Sequence, residues 1–182
     1  MYGLVNKAIQ DLISNKFGED KWQEIKKLSG FEDDFFIGLQ PYPDSVTYDL
    51  VKNASKVLGA DASVVMEAFG EYWILYTANE GYGEMMDLAG DTLTDFLNNL
   101  DMLHQRVNHI MPALVAPQFS TRNETENSIE LEYRSKREGM SPMVVGLLRG
   151  LCKKFGKENY AISHIEFKKD NGECEVFKIE WK

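Results

Sequence analysis

The sequence contains two cysteines, five prolines and three histidines in 182 residues, and nowhere a Cys-x-x-Cys pair. So few nitrogen and sulfur ligands exclude a zinc ribbon or finger, which needs four close donors. Cys152 and Cys174 cannot staple a disulfide scaffold and are expected to be reduced thiols in a cytoplasmic protein. No apolar stretch approaches the ~18 residues of a membrane span. The N-terminal MYGLVNKAIQDLISNKF is no secretion signal, because Lys7, Asp11 and Lys16 interrupt its apolar positions. The expected location is therefore the cytoplasm, without membrane contact, where the sequons at Asn53 and Asn123 are irrelevant. Positive charge is also scarce. With 29 acidic and 20 basic residues the net charge is −9, which argues against nucleic acid or anionic lipid as a partner. Gly81-Tyr-Gly83 lacks the last glycine of a dinucleotide fingerprint, and no nucleophile has a base beside it, so an enzyme is not expected.

What is present is apolar patterning sufficient for one domain over residues 1–182: 43% of residues are hydrophobic. Leu4, Val5, Ala8, Ile9, Leu12, Ile13 and Phe17 recur at helical spacing, predicting an amphipathic N-terminal helix. The same spacing predicts helices over Asp20–Leu28, Asp44–Leu58 and Ala62–Tyr76, with 31–43 as a connection. Gly81-Tyr-Gly83 marks a break before a short helix at Glu84–Leu88. A further helix, capped by Thr92 or Thr94, runs through LHQRVNHI to Pro112. Beyond Pro112 the period changes. Ile129, Leu131 and Tyr133 alternate with charged residues, as in a strand with one buried face. Met143–Phe155 returns to helix. Tyr160–Lys168 and Cys174–Trp181 read as two strands joined at Asp170-Asn171-Gly172, a sequence suited to a tight hairpin turn. Helices followed by an antiparallel sheet with one helix inserted make the fold class α+β.

Two histidines five residues apart, His104 and His109, lie on the helix before Pro112. At about 100° per residue, Phe96, Leu100, Leu103, Val107 and Ile110 share one stripe. His104 falls on its border beside Leu97, and His109 falls on the polar side. An inward imidazole requires either a hydrogen-bonding partner or a metal. Three histidines and two cysteines with no close Cys-x-x-Cys pair argue against a protein zinc site, so a lone ligand at His104 would suffice only where another group supplies the rest. Haem does that, taking a single axial histidine.

A second constellation follows the strand at Ile129 and Leu131. If the alternation continues, Tyr133, Ser135 and Arg137 share the core face. Two hydroxyls and a guanidinium pointing inward suit a carboxylate; alternatively the strand ends at Tyr133 and Arg137 sits in a solvated turn. The trio fits the two carboxylates of haem, and equally an apolar acid bound without haem, though that leaves His104 idle.

These residues carry a resemblance. Met-Tyr-Gly-Leu-Val-Asn at the start, Phe69-Gly-Glu-Tyr-Trp73, Leu103-His104, Tyr133-x-Ser-x-Arg137 and Gly146-Leu-Leu together resemble the H-NOX (haem nitric oxide/oxygen binding) family, bacterial members and the sensor domain of soluble guanylate cyclase included. The resemblance spans essentially the whole chain. It implies a helical lobe, 1–60, and a second lobe, 61–182, in which a long helix packs on a four-stranded antiparallel sheet, with haem b buried between them. It makes His104 the axial iron ligand, Tyr133, Ser135 and Arg137 the propionate site, and Pro112 the residue that presses on the haem. Gly70 and Gly146 match glycines at which the lobes pivot. Ile9, Trp73 and Met143 match gas-side positions, with Val5 and Leu147 as neighbours. Methionine at position 143 offers bound oxygen no hydrogen bond, whereas the Trp73 indole could. Because Glu138 and Phe167 break the zinc pattern of some members, leaving only His164 and Cys174, no zinc is expected. The implied function is a sensor of nitric oxide and CO that signals by weakening its iron–histidine bond. With no output domain in this sequence, the implied partner is a separate histidine kinase or cyclic di-nucleotide enzyme; the alternative is that the sequence is a fragment of a guanylate cyclase or chemotaxis protein. An oxygen-binding or redox-responsive haem sensor is the alternative; a peroxidase is excluded by the lack of a gas-side acid or base.

Overall fold

The computed structural model describes the backbone of residues 1–182 and all side chains except those of residues 78, 79 and 171. The N-terminal pattern forms α1, Gly3–Phe17, with Ala8, Ile9, Leu12 and Ile13 buried. The first turn of a helix leaves N–H groups unpaired, and here a loop supplies acceptors: Gly3 N–H donates to Gln40 O at 2.8 Å and Leu4 N–H to Gly38 O at 2.9 Å. Gly3 is required for that approach, since a Cβ there would strike the Ile37 carbonyl. Two further helices, α2 (Glu19–Leu28) and α3 (Asp44–Leu58), pack on α1 through Trp22, Ile25, Leu50 and Ala54.

Next comes α4, Ala62–Thr77, followed by a π-helical turn, Ala78–Tyr82, that kinks at Gly81 (φ 88°), and by the short α5, Gly83–Asp87. The single helix expected before Pro112 is two. Thr92 caps α6, Leu93–Asn98, its hydroxyl accepting from Asp95 N–H at 3.1 Å. At Asn99 the backbone leaves helical geometry (φ −99°, ψ 2°) and the side chain donates to Ala89 O at 2.9 Å, so α7 begins afresh at Leu100–Ile110. A competing side-chain bond of this kind carries no signal in apolar periodicity.

The sheet holds β1 (Gln118–Thr125), β2 (Ser128–Arg134), β3 (Ala161–Glu166) and β4 (Glu175–Glu180), in the antiparallel order β1-β2-β4-β3. The edge strand β1 has no alternating apolar pattern to announce it; of its residues only Phe119 is buried. The inserted helix α8, Ser141–Lys154, starts earlier than its apolar pattern because Pro142 suits a first turn. Between β3 and β4 the expected tight turn is instead a short helix, α9, Lys168–Asn171, closed by Gly172 in the left-handed region (φ 72°).

Helices α4 and α8 cross backbone to backbone. A Cβ on Gly146 would run into the Glu67 carbonyl, and one on Gly70 into that of Met143. Two ion pairs flank the crossing, Arg149 with Glu67 and Lys153 with Glu71 at 2.6 Å, and Lys154 pairs with Asp87 of α5 at 3.1 Å. The architecture matches the α+β expectation, including a helix packed on a four-stranded antiparallel sheet. No helix among the described residues is long and apolar enough to cross a membrane.

Candidate functional site

Residues from α1, α4, α7, α8 and β2, with the chain after α7, enclose a cavity of about 270 Å³ whose walls are almost wholly apolar. Val5, Trp73, His104, Tyr133, Ser135, Arg137, Met143 and Leu147 all line it. Two expected site residues do not. Ile9 is buried at 2% exposure among the helices, one turn beyond Val5, outside the lining. Pro112 is exposed: α7 ends at Ile110, itself 51% exposed, the buried Met111 takes the inward place, and Pro112 turns to solvent. The proline on the cavity wall is Pro117, in company with Leu114 and Val115. The apolar run MPALVAP was the available signal for this wall, but the expectation assigned the haem-pressing role to its first proline, Pro112, rather than to its second, Pro117.

The ring of His104 is fixed by its own helix. Nδ1 lies 2.9 Å from the Leu100 carbonyl, which can only accept, so Nδ1 carries the proton. Burial pushes the imidazole pKa down, outweighing the opposing effects of that carbonyl and of Asp101. A neutral ring protonated at Nδ1 keeps its lone pair on Nε2, the form that ligates a metal. Phe119 of β1 packs against the ring at 5.3 Å between centroids. By contrast His109 is exposed, its Nδ1 2.9 Å from Gln105 O.

At one end of the cavity the polar trio gathers, but not by a continued strand: β2 ends at Arg134, and Ser135 and Arg137 reach the cavity from the bend beyond it. Arg137 N–H donates to Ser135 Oγ at 3.0 Å. Tyr133 is 6% exposed, and burial raises its pKa above the usual phenol value. The guanidinium is anchored from the other side of the molecule: Nε donates to Asp44 Oδ2 at 2.8 Å, Nη2 to Asp44 Oδ1 at 3.4 Å and Nη1 to Val115 O at 2.6 Å. Asp44 also receives the Met1 ammonium at 2.5 Å. Burial opposes ionisation of Asp44, but the hydrogen bonds from that ammonium and from Arg137, with their charges, hold its carboxyl below the usual range. Sequence reasoning missed Asp44, because an acid in the first turn of α3 reads as an ordinary helix start. A guanidinium has five N–H donors; three hydrogen bonds leave two for a ligand's carboxylate.

The remaining wall carries few polar groups. Thr77 donates its hydroxyl proton to Trp73 O at 2.8 Å, and the Trp73 indole and the Tyr2 and Tyr82 phenols are the other donor-bearing side chains there. These residues fit haem: an apolar slot, one neutral imidazole presented from a helix, and a carboxylate-binding end. Of the residues weighed for zinc, His164 contacts Glu175 at 2.6 Å, stacks on Phe177 at 4.5 Å and meets Phe167 at a tilt at 4.0 Å, while Cys174 is buried.

A family model described as Haem-NO-binding matches residues 2–164. Among curated relatives, soluble guanylate cyclase gcy-35 of Caenorhabditis elegans is 29% identical over 161 residues, covering 85% of this chain and 23% of that protein. Soluble guanylate cyclase gcy-34 of the same organism is 31% identical over 156 residues, covering 84% and 23%. The chain thus spans about a quarter of the length of the curated relatives it matches. Among solved structures, an H-NOX protein from S. oneidensis in the Fe(II)NO ligation state superposes with a TM-score of 0.89 at 21% identity, covering 100% of this chain and 99% of that one. A Cs H-NOX mutant carrying the unnatural amino acid 4-cyano-L-phenylalanine superposes with a TM-score of 0.86 at 23% identity, covering 100% and 97%. The fold is common to all three.

Proposed function

The chain belongs to the Haem-NO-binding family, and on that premise we propose that its cavity holds haem b and that the protein is a non-catalytic sensor of nitric oxide and CO. The observation that carries this reading is the His104 ring. Its Nδ1 proton is committed to the Leu100 carbonyl, and a neutral imidazole on an apolar cavity wall has Nε2 to offer an iron. Haem, when bound, supplies a ferrous iron able to take a diatomic gas. Tyr133, Ser135 and the two spare Arg137 donors hold the carboxylates at the polar end. Val5, Trp73, Met143 and Leu147 exclude water from the gas side, and Met143 donates no hydrogen bond to favour oxygen. Pro117, rather than Pro112, is the proline that bears on the cofactor.

With haem bound, His104 would hold the iron through Nε2, and a gas that weakened that hold would release the ring and the helix that carries it. The helix α7, which carries His104, then changes its seat, and the crossing at Gly70 and Gly146 is the pivot about which the halves, 1–60 and 61–182, shift. A ligand moves such an equilibrium only through different affinity for the two arrangements, and the state of the His104 bond provides that difference. The proposed output partner is a separate protein in the cytoplasm, a histidine kinase or cyclic di-nucleotide enzyme. Oxygen binding is the second reading, favoured by the Trp73 and Tyr82 donors on the wall.

Absorption spectra of the ferrous protein alone, under nitric oxide and under air, test this. Expected are a Soret band, a five-coordinate ferrous state, no change from oxygen, and loss of the band or of that state in His104→Gly. A six-coordinate complex persisting in excess nitric oxide would overturn the bond-loosening step, and a stable oxygen complex would favour the second reading.

A further inference from the structure

Between α2 and α3 the chain does something unusual for a connection: it exposes large apolar side chains from a backbone that is firmly tied down. Phe35 is 67% exposed, Ile37 51% and Leu39 58%. Yet Phe36 between them is buried at 2%, stacked on Phe31 at 3.9 Å and edge-on to Tyr42 and Trp22 at 5.4 and 6.4 Å. Gly38 and Gln40 give their carbonyls to the first turn of α1, Ile37 N–H donates to the Tyr42 hydroxyl at 3.0 Å, and Tyr2 pairs with Pro41 in a one-residue bridge. A loop held at so many points does not hide its apolar side chains by collapsing, and a rigid, exposed apolar strip is the mark of an interface.

Its surroundings specify the charge of what it meets. Glu32, Asp33 and Asp34 precede the strip and are exposed. On its other side lies a cleft of about 340 Å³ in which Phe35, Phe36 and Tyr76 stand among Asp11, Glu19 and Glu80. The basic groups nearby are Lys7, 3.7 Å from Glu80, and Lys26, 5.8 Å above the Phe31 ring. Carboxylates outnumber them on both flanks. An apolar strip between two acidic borders complements an amphipathic segment with an apolar face and lysines or arginines along its edges.

We infer that residues 31–40 and the adjoining cleft dock a basic, amphipathic segment of a partner protein. The same surface is joined to the cavity. Met1, Tyr2, Leu4 and Val5 line the cavity wall, and the loop carbonyls hold the N–H groups of Gly3 and Leu4 in that same turn. A change in how the cavity grips the start of α1 reaches the strip through two backbone hydrogen bonds. This coupling rests on the haem reading above; the docking surface does not.

The probes are a leucine- and lysine-faced amphipathic peptide and its leucine- and glutamate-faced counterpart, titrated calorimetrically against the full chain as purified, with and without added haemin. The lysine peptide is expected to bind, more weakly as salt rises, with affinity falling about tenfold or more in both Phe35→Ser/Leu39→Ser and Asp33→Lys/Asp34→Lys. These positions are exposed, so the variants should keep wild-type circular dichroism and melting. Equal binding of the glutamate peptide, or binding unaffected by either variant, would overturn the proposal. So would self-association in sedimentation that Leu39→Ser abolishes, since the occupant would then be a second copy. Equal affinity with and without haemin would sink the coupling alone. A wild-type protein that takes up no haemin would sink the cofactor reading while leaving the peptide result intact.

Discussion

The two helices that bring glycine and histidine to the site are held in opposite ways. Helix α8 is keyed into α4, with Val144, Gly146, Leu148, Gly150, Leu151 and Cys152 buried and charged pairs along its flank. Helix α7 has no fully buried residue. Three of its apolar side chains, Leu100, Leu103 and Val107, face the cavity together with His104, and it is tied to the sheet where Phe119 N–H donates to Asp101 at 3.3 Å. The difference teaches where stability and response reside. Both helices border the cavity, α8 through Met143 and Leu147. A helix keyed into its neighbour along its length is held by that packing, whereas one without buried residues takes its place from the cavity.

The strongest way to break this contrast is at the crossing. Gly146→Val drives two methyl groups and a Cβ toward the Glu67 carbonyl and is expected to cost about 3 kcal/mol, seen as a lowered denaturant midpoint. A loss below about 1 kcal/mol would mean that the crossing is not close-packed.

Less stability and more function should go with His104→Gly. A mid-helix glycine and the lost contact with Phe119 cost about 1–2 kcal/mol, while haem uptake measured at the Soret band is lost or needs free imidazole to restore it. Equal haem content and coordination in mutant and wild type would remove His104 from the iron.

Smaller still is the effect of Asp44→Asn at the polar end. With the Asp44 side chain 39% exposed, solvent screening limits the loss to about 1 kcal/mol. The sign follows from the depressed carboxyl pKa: the ionised pair stabilises the fold above the ordinary carboxylate range near pH 4, and that contribution disappears as pH falls through the lower folded value. Melting curves should therefore converge for mutant and wild type under strong acid and diverge at neutral pH. Divergence that grew on acidification would refute the assignment.

The finest discrimination lies between two prolines of the same apolar run, one facing solvent and one facing the cavity. Pro117→Ala should shift the Soret band of the haem-loaded protein, and Pro112→Ala should leave it unchanged, with stability moving by only a few tenths of a kcal/mol in the exposed case. A larger spectral shift from Pro112→Ala would reinstate the sequence assignment.

Much of this was legible in advance because it rests on periodicity. The 3.6-residue spacing marked the bounds of α3, and it turned His104 inward and His109 outward. The two-residue period of Ile129, Leu131 and Tyr133 placed Tyr133 on the buried face, whereas Ser135 and Arg137 join it at the cavity from the bend that follows β2. What stayed illegible depends on partners distant in sequence. Asn99 breaks a helix because Ala89 O is within reach; β1 is a strand because β2 offers it an edge; Asp44 matters because Arg137 arrives from 93 residues away. Pro112 stands off the wall because its role as a stop signal was real, and a residue that ends α7 is thereby turned away from the surface that α7 helps to build.

The glycine crossing has a last consequence. Ordinary helix contacts are cushioned by side chains that can change rotamer and so absorb a small displacement before it travels further. Where Gly70 and Gly146 meet carbonyl oxygens there are no rotamers to give way, and the contact has no slack. Any tilt given to α4 is handed to α8 undiminished, as in a joint of bone on bone.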